Sequence, residues 1–374
     1  MFKYRKSFGK NKTSVDYATA IVAVVLSVFG VFMVASATRG GGSSYVIKQS
    51  FAVFLGICFM LIISFINYEV FLNLKLCIAL FAASVIFLIL TLIFGVGNGN
   101  QSWIQFEGIA MNIQPSEIVK VLFIITFAKH LDMVKGKINR IYNVALLALH
   151  AGVIVGLVIL QGDLGSALVF MFIAIVMCFA QGLSIWYLLG GGTAVVLASP
   201  YLWELLRPYQ QQRILVGFNP ELDPLGYGYQ QILSKQAITN GSFLGTGYME
   251  SAISPTIPYN HTDMIFSVIA EELGLIGTLF VMVMLVVIVL RIIRTAFIAR
   301  KDIGAAICGG VAAMIIAQAV ENIGMTLGVL PIIGITLPFV SYGGSSVLSL
   351  YLSLGLVLSI YRYRSKYFFE REPT

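Results

Sequence analysis

Charge is what this sequence has least of: 11% of its 374 residues are Asp, Glu, Lys or Arg, against roughly 25% in soluble domains. An ordinary water-facing surface cannot be built from so few charges. Histidine is scarcer still, at 3 residues, and the 4 cysteines (Cys58, Cys77, Cys178, Cys308) all stand within apolar stretches. With no CxxC pair and no Cys/His cluster, neither a disulfide framework nor a zinc site is indicated. No P-loop signature occurs, which argues against a pump driven by its own ATPase. A soluble enzyme, a disordered scaffold and a nucleic-acid-binding domain are excluded, and no nucleic-acid partner is expected.

What is abundant is apolar. Hydrophobic residues make up 58% of the chain and mean hydropathy is +0.90. They gather in runs of about twenty, the length a bilayer-spanning helix requires. The runs predict ten spans: 17–37, 49–66, 74–96, 117–131, 142–160, 164–182, 185–204, 264–290, 303–327 and 342–361. Span 117–131 is short and opens on charged residues, and span 185–204 contains Gly190, Gly191, Gly192 and Pro200. Broken or tilted helices are expected at both. The first run lacks a small-residue cleavage site behind it and reads as an uncleaved span after a basic tail.

The net charge of +7 sorts by side. With the N-terminus inside, 18 of the 24 basic residues are cytoplasmic: Lys3, Arg5, Lys6, Lys10, Lys12, Lys75, Lys129, Lys135, Lys137, Arg140, Arg291, Arg294, Arg300, Lys301, Arg362, Arg364, Lys366 and Arg371. Only Arg39, Lys48, Arg207, Arg213 and Lys235 fall outside. This is the asymmetry of the positive-inside rule. The expected fold class is therefore an all-α polytopic membrane protein with both termini cytoplasmic. Residues 1–374 form one membrane domain with basic tails at 1–16 and 362–374 and a large external loop, 205–263, between helices 7 and 8. External segments 97–116, 205–263 and 328–341 are polar or rich in Gly and Pro, which directs function to the outer face.

Ionisable groups within spans cost roughly 3 kcal/mol each and invite explanation. Glu117 and Lys120 sit one turn apart in QPSEIVK. They fit an intrahelical ion pair, or a Lys120 turned to a cavity to meet a phosphate. Pro115 suits a helix start and Ser116 a cap. Asp163, in QGDLGSA, fits a helix-start cap. Asp263, in PYNHTDMIFSVIAEELG, stands between a polar loop and an immediately apolar helix. A carboxylate there loses hydration, which raises its pKa toward that of a useful base; the alternative is a cap, with His261 and Thr262 as neighbours that hydrogen-bond it or cap the helix themselves. Glu271 and Glu272 follow about 12 Å along that helix, and one of them is expected to pair with a buried donor. Glu321 is a third acid at depth. GVLPIIGITLPFVSYGGSS, 328–346, cannot be a regular helix and must line protein or a cavity. YGYQQILSKQAITNGSFLGTG, 227–247, predicts a short amphipathic helix lying on the membrane surface and ending at Asn240-Gly241.

Taken together these motifs resemble the SEDS family of polytopic proteins (shape, elongation, division, sporulation), the RodA/FtsW/SpoVE group. The matching residues run in order over nearly the whole chain: Trp103, Gln114-Pro115-Ser116-Glu117 with Lys120, Asp163-Leu164-Gly165, Arg213 with Phe218 and Pro220, and Gln236-Ala237-Ile238 to Gly247. They continue with His261-Thr262-Asp263, Ile265-Phe266, Glu271-Glu272-Leu273-Gly274, Asn322-Ile323-Gly324-Met325, and Leu337-Pro338-Phe339 through Ser341-Tyr342-Gly343-Gly344-Ser345. Asn240-Gly241 departs from the usual Gly-Gly, and Met264 from a frequent Phe.

The resemblance implies ten membrane helices in the bacterial cytoplasmic membrane and a peptidoglycan glycosyltransferase that polymerises lipid II at the outer leaflet, for elongation, division or sporulation. It implies a class B penicillin-binding protein as partner, alongside lipid II and membrane lipids. Asp263 matches the family's essential aspartate, the base that takes the proton of the acceptor 4-hydroxyl in an inverting displacement of undecaprenyl pyrophosphate. Lys120, Arg213 and a divalent cation, Mg or Mn, could neutralise the pyrophosphate. Glu117, Asp163, His261, Ser341, Tyr342, Gly343, Gly344 and Ser345 are the remaining substrate-binding candidates. Two competing readings are a lipid II flippase, which needs ionisable groups tracking between leaflets, and a non-catalytic scaffold recruiting the transpeptidase.

Overall fold

The computed structural model describes residues 15–40, 43–96, 101–105 and 112–364. The charges counted as cytoplasmic at Lys3, Arg5, Lys6, Lys10, Lys12, Lys366 and Arg371 lie outside these residues, as does part of the 97–116 segment.

The described residues form twelve α-helices: α1 (Tyr17–Ala37), α2 (Ser44–Phe65), α3 (Leu74–Phe94), α4 (Pro115–Met133), α5 (Ile141–Leu160), α6 (Leu164–Ala180), α7 (Ile185–Leu205), α8 (Pro208–Phe218), α9 (Tyr229–Gly241), α10 (Ile265–Phe297), α11 (Asp302–Thr326) and α12 (Gly344–Arg362). Ahead of α4, β1 (Ile104–Gln105) pairs antiparallel with β2 (Asn112–Ile113) over two residues. Ten helices coincide with the ten apolar runs, and α8 and α9 subdivide the 205–263 segment. Among the described residues, seven helices (α1, α2, α3, α5, α10, α11, α12) are long and apolar enough to cross a membrane, and α6 is a shorter apolar helix. The remaining two are the ones that the sequence marks as irregular. Neither is broken: α4 runs continuously for 19 residues and α7 passes through Pro200; the three glycines of α7 meet nothing within 4 Å.

Two boundaries differ from expectation by more than two residues. α2 starts at Ser44, ahead of the expected 49, and α10 reaches Phe297 rather than 290. Within α10, Gly274 takes φ 62° and ψ −157°, a conformation open to glycine alone. This kinks the helix where residues 242–247 cross it: Leu275 donates to the carbonyl of Ser242, and Thr246 and Gly247 donate to those of Glu271 and Glu272.

α11 and α12 occupy the interior. α12 packs along α2, where Gly56 faces the Tyr351 ring and Gly355 the backbone of Met60; small residues let helices approach this closely when lipid supplies no hydrophobic drive. The ends of the bundle differ in chemistry. At one end lie the ion pairs Arg291–Asp16 (2.5 Å), Lys135–Asp302 (2.7 Å) and Lys301–Glu69 (3.0 Å). At the other, the starts of α4, α6, α10 and α12 converge.

Candidate functional site

At that second end the chain leading into α10 is pinned through its backbone. Asn322 of α11 donates its Nδ2 to the carbonyl of Asp263 (2.8 Å) and to that of Ile335 (2.7 Å). Ser341 donates its Oγ to the carbonyl of Thr262 (2.6 Å) while accepting from the amide of Leu337 (2.8 Å). The amide of Tyr342 donates to the carbonyl of His261 (2.9 Å). Gln49 of α2 completes the frame, donating to the carbonyl of Ser341 (2.9 Å) and accepting from the amide of Gly343 (3.1 Å).

The Asp263 carboxylate, in contrast, accepts no hydrogen bond among the described residues. It is partly exposed, and Gly334, at φ +77°, comes so near that a Cβ there would sit 3.4 Å from Oδ2. Burial pushes its pKa from the ordinary 3.8 up to about 6; the Arg213 guanidinium holds it down in part and the Asp163 charge adds to the rise.

Asp163 is the opposite case. Its Oδ1 accepts from the amide of Ser166 (3.0 Å), capping α6, and its Oδ2 accepts from Nε2 of Gln114 (3.0 Å). Burial raises its pKa, with the Ser166 bonds and Lys120 acting against the rise. The backbone amide of Gln114 donates to Oγ of Ser345 (3.1 Å), so the starts of α4, α6 and α12 are one hydrogen-bonded unit. One turn into α4, Lys120 is fully buried and pairs with Glu117 at 2.7 Å. The second oxygen of Glu117 accepts from Ser349 (3.2 Å). Glu321 of α11, also buried, lies within electrostatic reach of Lys120 and Asp163.

A small cavity of about 40 Å³ opens beside Asp163, walled by Gln210, Arg213, Ile214, Pro331, Ile332 and Ile333. Arg213 also borders a second chamber and forms no ion pair among the described residues. Asp163 and Arg213 thus share one cavity, Asp263 is coupled electrostatically to both, and Lys120 lines neither chamber. Of the other candidates, His261 sits in an aromatic cluster with Tyr342 and Tyr45, at ring separations of 4.9–5.6 Å; its Nδ1 faces Asn260 (3.2 Å) and burial lowers its pKa. Gly343 and Gly344 form the entry to α12.

Several expectations are corrected. Ser116 does not cap α4: Pro115 holds the first helical position, Gln114 is the cap residue without a side-chain cap bond, and Oγ of Ser116 is buried and unpartnered. Neither His261 nor Thr262 bonds Asp263; Thr262 donates to the carbonyl of Tyr259 (3.1 Å). α9 ends at Gly241 as expected but does not lie free on a surface. It packs on α10, burying Gln231, Ser234 and Ala237, because Ser234 bonds Ser267 (2.6 Å) and the carbonyl of Thr326 (2.7 Å). Both Glu271 and Glu272, rather than one, hold buried donors. Glu271 accepts from the amides of Ala252 (3.1 Å), Ile253 (2.9 Å) and Ser254 (2.6 Å), and Glu272 from Ser36 (2.5 Å) and Ser251 (2.8 Å).

The candidate list lacked Gln49, Gln114, Gln210 and Asn322, the groups that hold or line the site. Their signal was available: Gln49 and Asn322 are amides at or inside apolar runs, where an unpaired polar group is costly.

Comparison with known proteins adds an independent line. Residues 16–366 match the family described as cell cycle protein FtsW/RodA/SpoVE. The chain is 35% identical over 363 residues to the probable peptidoglycan glycosyltransferase FtsW of Geobacter metallireducens, covering 92% of this chain and 94% of that one. It is 35% identical over 292 residues to the peptidoglycan glycosyltransferase MrdB of Escherichia coli, covering 76% and 77%. Among solved structures, a chain from a peptidoglycan synthase complex, described for its structural coordination of polymerization and crosslinking, superposes with a TM-score of 0.81 at 32% identity, covering 94% of this chain and 99% of that one. The rod shape determining protein RodA of Thermus thermophilus gives 0.70 at 28% identity, covering 94% and 98%.

Proposed function

Because this chain belongs to the FtsW/RodA/SpoVE family, as a multi-pass peptidoglycan glycosyltransferase of the bacterial inner membrane, we propose that Asp263 is the base of its transfer step. The observation that carries the assignment is a backbone fixed on three sides with a carboxylate left without donors. A base must be held in place yet keep its lone pairs for the substrate, and a pKa of about 6 leaves it ionised at neutral pH while close enough to the working pH for efficient proton transfer.

The substrate we propose is lipid II. Asp263 takes the proton of the acceptor 4-hydroxyl as that oxygen bonds to the donor anomeric carbon. The bond from that carbon to the pyrophosphate breaks in the same displacement, and undecaprenyl pyrophosphate departs with the electron pair. One base suffices for such an inversion, because the departing pyrophosphate is a stable anion that needs no general acid. Arg213, unpaired and beside the cavity, is the group placed to meet the pyrophosphate, and Asp163 shapes the wall through Gln114. The site end of the bundle lies opposite the basic ion-pair end, which supports an outer-leaflet site under the positive-inside rule. The proposed partner is a class B penicillin-binding protein that crosslinks the product.

A resident divalent cation is not matched by the residues. Among those described, no three His, Cys, Asp or Glu side chains are placed to hold a metal ion, and Asp163 already accepts from Ser166 and Gln114. No step is routed through one.

The flippase reading required acids tracking between leaflets; Glu271 and Glu272 instead anchor residues 251–254. Purified Asp263→Asn protein tests the proposal: it should bind lipid II and make strands far more slowly, and strands at the normal rate would remove Asp263 as base.

A further inference from the structure

The second chamber that Arg213 borders has no part in the step above. It offers about 200 Å³ between Arg213, Tyr227, Tyr229, Gln230 and Pro258, with Gly217, Gly226 and Ile332 completing the wall. We propose that this chamber is a saccharide subsite, taking a pyranose ring of one of the two lipid-linked sugar chains that the enzyme joins; this rests on the glycosyltransferase reading.

Three observations carry it. First, the chamber is built rather than incidental. Tyr227 and Tyr229 stand on a turn closed by Asp223, whose carboxylate accepts from the amide of Tyr227 (2.9 Å) and whose carbonyl accepts from that of Gly228 (2.9 Å). A Cβ at Gly226 would strike that carboxylate, and one at Gly228 the carbonyl of Pro220. Gln230 is fixed by donating to the carbonyl of Pro258 (3.1 Å).

Second, the lining has the chemistry of sugar recognition. Two half-exposed aromatic rings offer apolar faces to the C–H face of a pyranose. Neither phenol hydroxyl has a hydrogen-bond partner among the described residues, although such groups ordinarily find one when a ligand or protein covers them. Gln230 adds an amide for hydroxyl or acetamido groups. Among the described residues, the only charged side chain on the wall is a cation, Arg213, and no carboxylate lines it.

Third, the chamber is continuous with the site. Arg213 and Ile332 belong to its wall and to that of the Asp163 cavity, and Arg213 is electrostatically coupled to Asp263. A sugar held here would carry its phosphate or its reacting hydroxyl toward that junction.

The test is steady-state polymerisation by the purified full-length protein with lipid II as the probe, comparing Tyr227→Ala/Tyr229→Ala with Tyr227→Phe/Tyr229→Phe. The Ala pair should raise KM by about tenfold, the fold-change of one lost aromatic contact, with a smaller change in kcat. The Phe pair, which keeps both rings, should recover most of the loss. Shorter strands from the Ala pair would assign the chamber to the growing strand; strands of normal length with the raised KM would assign it to the donor. An unchanged KM with unchanged strand length would overturn the subsite, and so would a fall in kcat alone. Should the Ala pair fold poorly, Gln230→Ala reads the same KM. If Asp263→Asn polymerised normally, the base assignment would fall while the tyrosine effect on KM stood.

Discussion

Asp163 and Asp263 enter the structure by the same route, each following a polar turn and preceding an apolar helix, and they end in opposite states. Asp163 caps α6 and accepts two hydrogen bonds, whereas Asp263 stands one residue outside the cap of α10 and accepts none. The difference lies in who supplies the acceptors. At α10 the turn is closed by backbone: the amide of Met264 donates to the carbonyl of Tyr259 (3.3 Å) and that of Ser267 to the carbonyl of Met264 (3.0 Å). With those donors taken, the Asp263 side chain is released from structural duty. A carboxylate at a helix start is thus a cap or a base according to whether the backbone has already satisfied the helix.

The contrast can be broken most forcefully at Asp263 itself. Asp263→Asn should lower turnover by about 10²–10⁴-fold, the usual worth of a positioned base, without lowering the unfolding midpoint at pH 8. The sign follows from its raised pKa: ionisation costs folding free energy as pH climbs from the ordinary value of 3.8 through about 6, and a neutral amide removes that cost. Next in size is Asn322→Ala, which frees the carbonyls of Asp263 and Ile335 and should cut kcat by about ten- to a hundredfold through misplacement of the base, with KM for lipid II little changed. Asp163→Ala should act mainly on stability, losing about 1–2 kcal/mol with the α6 cap, read by chemical unfolding in detergent. Arg213→Gln gives the smallest but most specific shift: without the guanidinium that restrains it, the Asp263 midpoint should move above 6 in the pH profile of the residual activity.

Much of the architecture was legible in the residues. Ten apolar runs are ten helices because the bilayer length and the demand for internally satisfied backbone leave a run of twenty few alternatives. The Glu117–Lys120 pair follows from helical spacing alone. The kink at Gly274 was not legible, since it depends on Ser242, Thr246 and Gly247 arriving from a different segment. The sequence read Asp163 as a cap but left Asp263 open between base and cap, because the contacts that fix its backbone come from Asn322, 59 residues away, and from Ser341, 79 residues from its partner Thr262. Glu271 and Glu272 looked like acids stranded at depth for the same reason: their donors at 251–254 lie in a loop that only the fold brings back. The α9 helix was visible as a helix, but its burial was not, since that depends on Ser234 meeting Ser267 and Gln231 meeting the carbonyl of Met325.

The pH profile of kcat/KM for strand synthesis from lipid II, from pH 5 to 8, measures the central group directly. A free, half-dry carboxylate predicts activity that falls tenfold per unit below a midpoint near 6, with that limb lost in Asp263→Asn. A profile flat through 6, or the same limb surviving the substitution, would show that the proton goes elsewhere.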